Sequence, residues 1–205
     1  MIAIADYGVG NIFSLYSSFK SLGAQVFLTK DPSELKNADK IILPGVGAFE
    51  DAAKKLAASG LKDAILEETA KGKPMLGICL GMQLLFEKSY EYGVHEGLSL
   101  IKGDVMPIAP DVSCELKIPH IGWNSLHFPK DKEKSKIFKY ISEGDFVYFV
   151  HSYYGKNCDA YVTATTQYGV ALTAAVENVN VYGTQFHPEK SGNIGLKILK
   201  AFTEL

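Results

Sequence analysis

The length and composition of the chain set the first limits on its architecture. With 205 residues, 47% of them hydrophobic and 21% charged, the chain can bury one complete core and does not require a second domain. We therefore expect one domain over residues 1–205. No apolar run is long enough to cross a bilayer, and the first residues show no secretory signal, so we expect a cytoplasmic protein without a membrane partner.

Charge and cysteine content exclude several classes of function. The net charge is −2 and the 21 basic residues are scattered, apart from KDKEKSKIFK at 130–139, where two acidic residues interrupt the lysines. We expect that stretch to be a solvated loop and helix edge, so the charge pattern argues against a nucleic-acid partner. All 21 basic residues are lysines, so an arginine clamp on phosphate or carboxylate is excluded. Cys79, Cys114 and Cys158 are far apart and lack the spacing of a zinc site or a disulfide framework. We expect neither a metal nor another cofactor.

Apolar strands alternate with helical patterns in the first half of the chain, as in βαβ units around a parallel sheet. The predicted elements are strand 2–7, helix 11–22, strands 25–29 and 40–44, helices 48–58 and 61–71, and strand 74–78. The apolar positions of LGMQLLFEK predict a further helix over 80–88, directly after Cys79. We expect a mostly parallel open sheet flanked by helices.

The second half of the chain changes character. Short strand-like pieces, separated by Gly, Pro, Asn and Asp, run from GDVMPI at 103–108 to NVYGTQF at 180–186 and predict an antiparallel extension of the sheet. The chain closes with a predicted helix over 191–203, in which Ile194, Ile198 and Phe202 share one face. Ser191 is placed to cap its first turn.

The stretch GICLG at 77–81 lies between a buried strand and a helical pattern. Strand, tight glycine turn and helix together predict a nucleophile elbow, here with Cys79 in place of the usual serine. Side chains two residues before and after the nucleophile would collide in so tight a turn, which explains Gly77 and Gly81. A helix N-terminus also favours a thiolate, so a reactive sulfur is preferred to the alternative of a small buried hydrophobic residue.

A cysteine nucleophile needs a base, and the base needs a group that orients it. His187 ends a strand-like segment, Pro188 keeps it extended, and Glu189 lies two residues on, where side chains of an extended segment point the same way. These residues supply base and orienter together. Of the other histidines, His151 ends an apolar strand where it can face a pocket, whereas three are expected to be structural or exposed: His95, His120 and His127.

Sites in an open α/β sheet gather at the carboxyl ends of its strands, which is where Cys79 and His187 both fall. The negative oxygen that forms when an amide is attacked needs hydrogen-bond donors. One candidate is the N–H of Leu80, next to the nucleophile. The other is the glycine turn PGVG at 44–47, with Val46 and Gly47.

Several motifs occur in a fixed order: PGVG at 44–47, GICLGMQ at 77–83, HSY at 151–153 and QFHPEKS at 185–191. With this set the sequence resembles the class I glutamine amidotransferases over nearly the whole chain. DYGVGN at 6–11 and PHIGWN at 119–124 are similar to the glutaminase subunits of imidazole glycerol phosphate synthase.

This resemblance implies a flavodoxin-like fold and a glutaminase that passes ammonia from L-glutamine to a (β/α)₈-barrel cyclase subunit. That cyclase makes imidazole glycerol phosphate and aminoimidazole carboxamide ribotide in histidine biosynthesis. Cys79, His187 and Glu189 match the family's catalytic triad. Residues that match substrate-binding positions are Gly45, Gln83, Glu91, His151, Ser152 and Tyr153. Residues that match positions at the partner interface are Asn11, Trp123, Tyr148 and Lys190.

Two other functions stay open at this point. One is a related subunit that serves another synthase, for example in sugar amination, and the other is a free-standing amide hydrolase of the same fold. A non-catalytic binding protein is disfavoured because Cys79, His187 and Glu189 are all present. A chain of 205 residues has no room for an ammonia-accepting domain, so we expect a partner subunit, with DYGVGNIF and PHIGWN as its docking surface or, equally, as core.

Overall fold

Thirteen strands and six α-helices follow one another along the chain, and the computed structural model describes all of residues 1–205. The strands are β1 (Ile2–Ala5), β2 (Val26–Thr29), β3 (Lys40–Leu43), β4 (Met75–Ile78), β5 (Phe86–Ser89), β6 (His95–Glu96), β7 (Ile101–Pro107), β8 (His120–Ser125), β9 (Phe146–His151), β10 (Tyr153–Lys156), β11 (Val162–Tyr168), β12 (Val170–Asn178) and β13 (Val181–Thr184). The helices are α1 (Ile12–Ser21), α2 (Pro32–Asn37), α3 (Phe49–Ala58), α4 (Leu61–Ala70), α5 (Leu80–Gln83) and α6 (Gly192–Thr203).

Seven strands form one open sheet in the order β11-β12-β13-β4-β3-β1-β2. The strands from β13 to β2 are parallel, and β12 and β11 continue the sheet with antiparallel pairing. This confirms the predicted mostly parallel sheet with an antiparallel extension. The parallel part has the order of doubly wound folds, with β1 between β2 and β3.

Helices cover both faces of the main sheet, because its parallel strands are apolar on both sides. Every residue of β1 and of β4 is buried. One face packs against α2, α3 and α4, through side chains such as Leu56 and Ile65. The other face packs against α1 and α6, with Phe19 and Phe202 fully buried. The apolar stripe predicted for the last helix therefore lies on the core.

Two smaller sheets complete the molecule. One has four strands in the order β10-β7-β5-β6, and the other is the antiparallel pair β8–β9. Only Ser152 separates the end of β9 from the start of β10, so this short connection joins the two smaller sheets. The longest helix, α6, has 12 residues, and no helix combines the length and apolar character of a membrane-spanning segment.

The helix predicted over 80–88 is wrong after its first turn. Only Leu80–Gln83 is helical, and β5 follows from Phe86. The carbonyl groups of residues 84–86 accept hydrogen bonds from N–H groups of residues 98–101, and β5 pairs in parallel with β7. Leu84, Leu85 and Phe86 are all buried. Their apolar character therefore reflects burial in the core and not a helical period.

Two further local features differ from expectation. The prediction lacked α2, although Asp31 accepts a hydrogen bond from the N–H of Ser33 at 2.8 Å and Pro32 occupies the first helical position. The predicted capping of α6 by Ser191 is wrong. Its hydroxyl donates to the carbonyl of His187 at 2.6 Å and accepts from the N–H of Tyr148 at 3.0 Å, which ties the segment after β13 to β9.

Candidate active site

The strand order places four loops side by side at the carboxyl edge of the parallel sheet. Neighbouring strands β13, β4, β3 and β1 end at Thr184, Ile78, Leu43 and Ala5. The residues that follow them in the chain are therefore neighbours in space. This topology places Cys79 between the segment around His187 on one side and the turn 44–47 on the other.

Cys79 lies in a strained turn between β4 and α5. Its φ of 55° is in the positive range that residues with a side chain rarely adopt, at a cost of about 1–3 kcal/mol. A Cβ added to Gly77 would lie 2.6 Å from the carbonyl oxygen of Gly81, and one added to Gly81 would lie 1.9 Å from that of Leu43. Both glycines are therefore required by close backbone contacts, as the nucleophile elbow predicts.

The short length of α5 changes one expectation about this sulfur. A one-turn helix has few aligned peptide dipoles, so the electrostatic support expected from a long helix after Cys79 is small. Charge stabilisation at the sulfur must therefore come from side chains around it.

His187 and Glu189 form a buried pair after β13. Nδ1 of His187 and Oε1 of Glu189 are 2.8 Å apart, and their side chains are only 2% and 1% exposed. His187 is extended, as expected from Pro188, but residues 188–190 form a 3₁₀ turn. The carboxylate therefore reaches the ring through a tight turn and not along an extended segment.

The pKa of His187 indicates whether its ring is protonated. Burial alone would lower it, but the nearby Cys79 sulfur and the Glu189 carboxylate outweigh burial and raise the pKa of His187 to about 10. Nε2 of His187 forms no hydrogen bond, although the sulfur is near enough to act on the charge of the ring. The ring can thus hold a proton at neutral pH and act as the counter-ion of a thiolate.

Gln185 is a polar neighbour of the sulfur that the sequence analysis did not single out. Its side chain is fully buried, and its Nε2 donates to Sγ of Cys79 at 3.8 Å. Gln83, predicted to bind substrate, points into the same network and donates to Oε1 of Gln185 and to the carbonyl of Tyr153, both at 3.1 Å. The one available signal was an amide in the otherwise apolar segment VYGTQF.

The turn 44–47 lies against the elbow. Val46 and Gly47 line the same pocket as Cys79 and Leu80, so the four predicted oxyanion and nucleophile positions meet at one place. Gly45, predicted to bind substrate, does not line the pocket. A Cβ there would lie 2.6 Å from the backbone N of Gly81, so this glycine lets the turn pack directly on the elbow.

The pocket beside Cys79 has a volume of about 590 Å³, which is enough for an amino acid. His187 and Lys190 line it, together with five predicted substrate-binding residues: Gln83, Glu91, His151, Ser152 and Tyr153. Oε2 of Glu91 accepts a hydrogen bond from the N–H of Phe49 at 2.5 Å, and Oε1 of the same carboxylate forms no hydrogen bond. No cluster of histidine, cysteine, aspartate or glutamate side chains has the arrangement of a metal site.

The other three predicted interface residues lie outside the pocket. Trp123 on β8 is 55% exposed and contacts Tyr148 across the β8–β9 ladder, with ring centroids 6.1 Å apart. Asn11 precedes α1, and its Oδ1 accepts a hydrogen bond from Ser14 at 2.9 Å. Lys190 joins this surface to the pocket, because the 188–190 turn contacts both α1 and β9.

His151 reaches the pocket from a buried pair of histidines. Its Nδ1 lies 2.9 Å from the carbonyl of Tyr153, which can only accept, so Nδ1 carries the proton and Nε2 accepts from Nδ1 of His120 at 3.0 Å. His120 in turn accepts at Nε2 from Asn124 at 3.3 Å. Burial lowers the pKa of His120 to about 4 and that of His151 to about 3, so both rings are neutral at pH 7. The expectation that His120 is structural agrees with this geometry.

Comparison with known proteins connects this geometry to a family. The family model of class-I glutamine amidotransferases matches residues 3–204. The chain belongs to the class-I glutamine amidotransferase family.

Two relatives within this family carry a more specific name. The chain is 50% identical to "Imidazole glycerol phosphate synthase subunit HisH" of Caldanaerobacter subterraneus subsp. tengcongensis, over 100% of this chain and 98% of the relative. It is 45% identical to the subunit of the same name from Wolinella succinogenes, over 100% of both chains. A crystal structure of a glutamine amidotransferase superposes with a TM-score of 0.76 at 16% identity, over 99% of this chain and 97% of the other, and supports the fold alone.

These findings confirm the predicted family, the fold class and the prediction that the chain is an enzyme, a glutamine amidotransferase. The structure brings the predicted nucleophile and base to one pocket, with the predicted orienter Glu189 bonded to the base, and it leaves Gly45 and three interface residues outside the pocket.

Proposed function

We propose that this protein is the glutaminase subunit of an imidazole glycerol phosphate synthase and that it hydrolyses glutamine with Cys79, His187 and Glu189. The observation that carries the proposal is the meeting of a strained cysteine elbow and a buried His–Glu pair at one amino-acid-sized pocket. The names of the 45–50% identical relatives support the assignment to histidine biosynthesis.

The reaction begins with the proton of Cys79 on His187, whose pKa is raised to about 10. The thiolate attacks the side-chain carboxamide carbon of glutamine, and the negative oxygen forms beside Leu80, Val46 and Gly47. His187 then gives its proton to the departing nitrogen, so that ammonia leaves and a γ-glutamyl thioester remains. Water attacks this thioester with His187 as base, and glutamate is released.

The pocket offers groups for both ends of glutamine. The free oxygen of Glu91 suits the α-ammonium group, because a carboxylate on the pocket wall pairs with a cation. Ser152 and Tyr153 also line the pocket, and Gln83 and His151 both bond to the carbonyl of Tyr153 and so hold this segment in place. We assign substrate positioning to these residues.

A partner subunit receives the ammonia. Free ammonia becomes protonated in bulk water, so a productive glutaminase passes it directly to its acceptor. The exposed apolar side chains Ile121 and Trp123 lie on one face of β8, and the 188–190 turn connects that region with the pocket. This surface, together with Asn11 and Lys190, is our candidate for docking a (β/α)₈-barrel cyclase.

The test uses the complex of this chain with the cyclase subunit and compares Cys79→Ala with the unmodified protein. Glutamine-driven synthesis should fall by at least about 10³-fold, since removing a nucleophile leaves only binding and oxyanion contributions. Synthesis driven by added ammonium salt should stay intact. Cys114→Ala is the matched control, because that thiol is exposed and lies outside the pocket.

Loss of both the glutamine-driven and the ammonia-driven reaction in Cys79→Ala would contradict the assignment of Cys79 to ammonia release. Rapid glutamine hydrolysis by the isolated chain would favour a free-standing hydrolase. Activation by the cyclase of another pathway, with no response to the histidine-pathway cyclase, would favour a subunit of another synthase.

A further inference from the structure

The amide orientations around Cys79 are fixed by groups that can only accept hydrogen bonds. The carbonyl of Tyr153 requires a donor, so the Gln83 side-chain atom 3.1 Å away is its NH₂ group. The same NH₂ group lies 3.1 Å from the Gln185 amide, which must present its oxygen there. The NH₂ group of Gln185 is thereby turned toward the Cys79 sulfur, at 3.8 Å.

Burial makes this arrangement specific. Gln185 is fully buried and Gln83 is 6% exposed, so the two amides have little contact with water. The Cys79 sulfur is the sole hydrogen-bond acceptor of the Gln185 NH₂ group. If the amide moved away from the sulfur, its NH₂ group would be a buried donor without a partner, which costs free energy. This cost favours the direct contact between the amide and the sulfur.

We propose that Gln185 is a further catalytic residue, which donates a hydrogen bond to the Cys79 thiolate and holds the sulfur for attack, and that Gln83 orients it. A thiolate accepts a hydrogen bond more strongly than a thiol, so the contact favours the reactive form. Hydrogen bonds at active sites that are long without substrate shorten in the reacting complex. The inference rests on the proposed function in one respect, that Cys79 is the attacking group.

The first test measures sulfur reactivity in the isolated chain and needs neither glutamine nor a partner. Alkylation of Cys79 by iodoacetamide is followed by mass spectrometry of its peptide, which separates it from exposed Cys114. Gln185→Met keeps a buried side chain of similar length and removes the donor. We expect alkylation at pH 7 to slow by about 10- to 100-fold, the range for a lost hydrogen bond to a charged group.

Thr184→Val is the matched control. Thr184 is the preceding residue, it is fully buried, and its hydroxyl has no hydrogen-bond partner. We expect its alkylation rate to stay within about twofold of the unmodified chain, because the substitution preserves shape and removes no contact with sulfur. Equal slowing in Thr184→Val and Gln185→Met would overturn the inference, since it would indicate a general disturbance of the strand end.

The second test measures turnover in the complex with the cyclase. Gln185→Met should lower kcat by about tenfold or more and change KM by less than about threefold, because the residue contacts the sulfur and does not line the pocket. Gln83→Met leaves β13 unaltered and removes the orienting bond to Gln185 together with the bond to the carbonyl of Tyr153, so its Cys79 alkylation should also slow, by less. This second variant decides the matter if Gln185→Met does not fold.

The outcomes separate the two proposals. Slow alkylation in Gln185→Met would support the donor role even if the unmodified complex failed to hydrolyse glutamine, a failure that would contradict the proposed function. Unchanged alkylation and unchanged kcat in a folded Gln185→Met complex that hydrolyses glutamine would overturn the role of Gln185 and leave the proposed function standing.

Discussion

At the scale of single residues, the surroundings of a side chain decide its charge. His187, His151 and His120 are all buried, yet their pKa values move in opposite directions. His187 faces a carboxylate and a sulfur, which stabilise its proton. His151 and His120 face a carbonyl, an amide and each other, so burial dominates and both stay neutral. The same residue type therefore supplies a ring that can hold a proton beside the sulfur and a neutral scaffold within one site.

The neutral pair predicts how stability depends on pH. In the unfolded chain both rings take up a proton near pH 6.5, whereas in the folded protein they do so only near pH 4 and pH 3. Between these values the unfolded chain binds more protons, so the free energy of unfolding falls as the pH falls below 6.5. In that range each ring lowers the free energy of unfolding by up to about 1.4 kcal/mol for every unit that the pH falls. Above pH 6.5 its full stabilisation is retained.

Urea unfolding of His120→Gln between pH 7 and pH 5 measures this contribution. We expect the free energy of unfolding to fall less steeply with pH than in the unmodified protein, by about 1 kcal/mol per unit. Phe149→Leu is the control, because the Phe149 ring stacks on the His120 ring, with centroids 5.0 Å apart, and has no titratable group. It should lower stability equally at every pH. Parallel curves for His120→Gln and the unmodified protein would show that this ring is not held neutral.

At the scale of elements, the sequence patterns predicted the parallel strands and the strand-like pieces of the second half well, and the segment 80–88 poorly. Buried parallel strands such as β1 and β4 are short apolar runs between turns, which a sequence displays directly. The segment 80–88 is as apolar, but its strand β5 forms through hydrogen bonds with residues 97–101 and β7, partners that no local pattern shows. Long-range pairing, and not propensity, decides such elements.

In the candidate site, too, the sequence shows the features that depend on local residues and does not show those that depend on long-range contacts. The nucleophile elbow depends on local glycines, and His187 and Glu189 are two residues apart, so both patterns were visible in the sequence. Gln185 acquires its role only through contacts with Gln83 and Cys79, which lie more than 100 residues away in the chain. The packing of Gly45 on Gly81 likewise depends on β3 and β4 being neighbours.

The β8–β9 ladder carries the prediction about docking. Trp123 is 55% exposed there, and aromatic side chains of this kind contribute strongly to interfaces. Trp123→Asp should weaken binding of the cyclase subunit by at least about 30-fold, measured by calorimetric titration, with a loss of folding stability of about 1 kcal/mol from the contact with Tyr148. Val179→Asp is the matched control, because Val179 is 84% exposed in the turn between β12 and β13, at the end of β13 opposite to the 188–190 turn. Equal affinities of the two variants would contradict the proposed docking surface.

At the scale of the whole molecule, strand order assembles the chemistry. Three chain segments carry the proposed nucleophile, base and oxyanion turn, and they meet because β13, β4 and β3 are consecutive in the sheet. The exposed apolar face of β8 lies on a separate ladder, which contacts the segment after β13 through β9. The proposed docking surface and the candidate active site therefore use different elements that share one boundary, the 188–190 turn.

The central claim is that Cys79 forms a covalent bond with glutamine, and acid-quenched single turnover of the complex tests it most directly. Mass spectrometry of the Cys79 peptide should show one γ-glutamyl group that appears before glutamate and disappears as glutamate forms. The Cys79→Ser variant should show no such thioester and should hydrolyse glutamine at least about 10³-fold more slowly. Glutamine hydrolysis at the unmodified rate in Cys79→Ser would contradict the account.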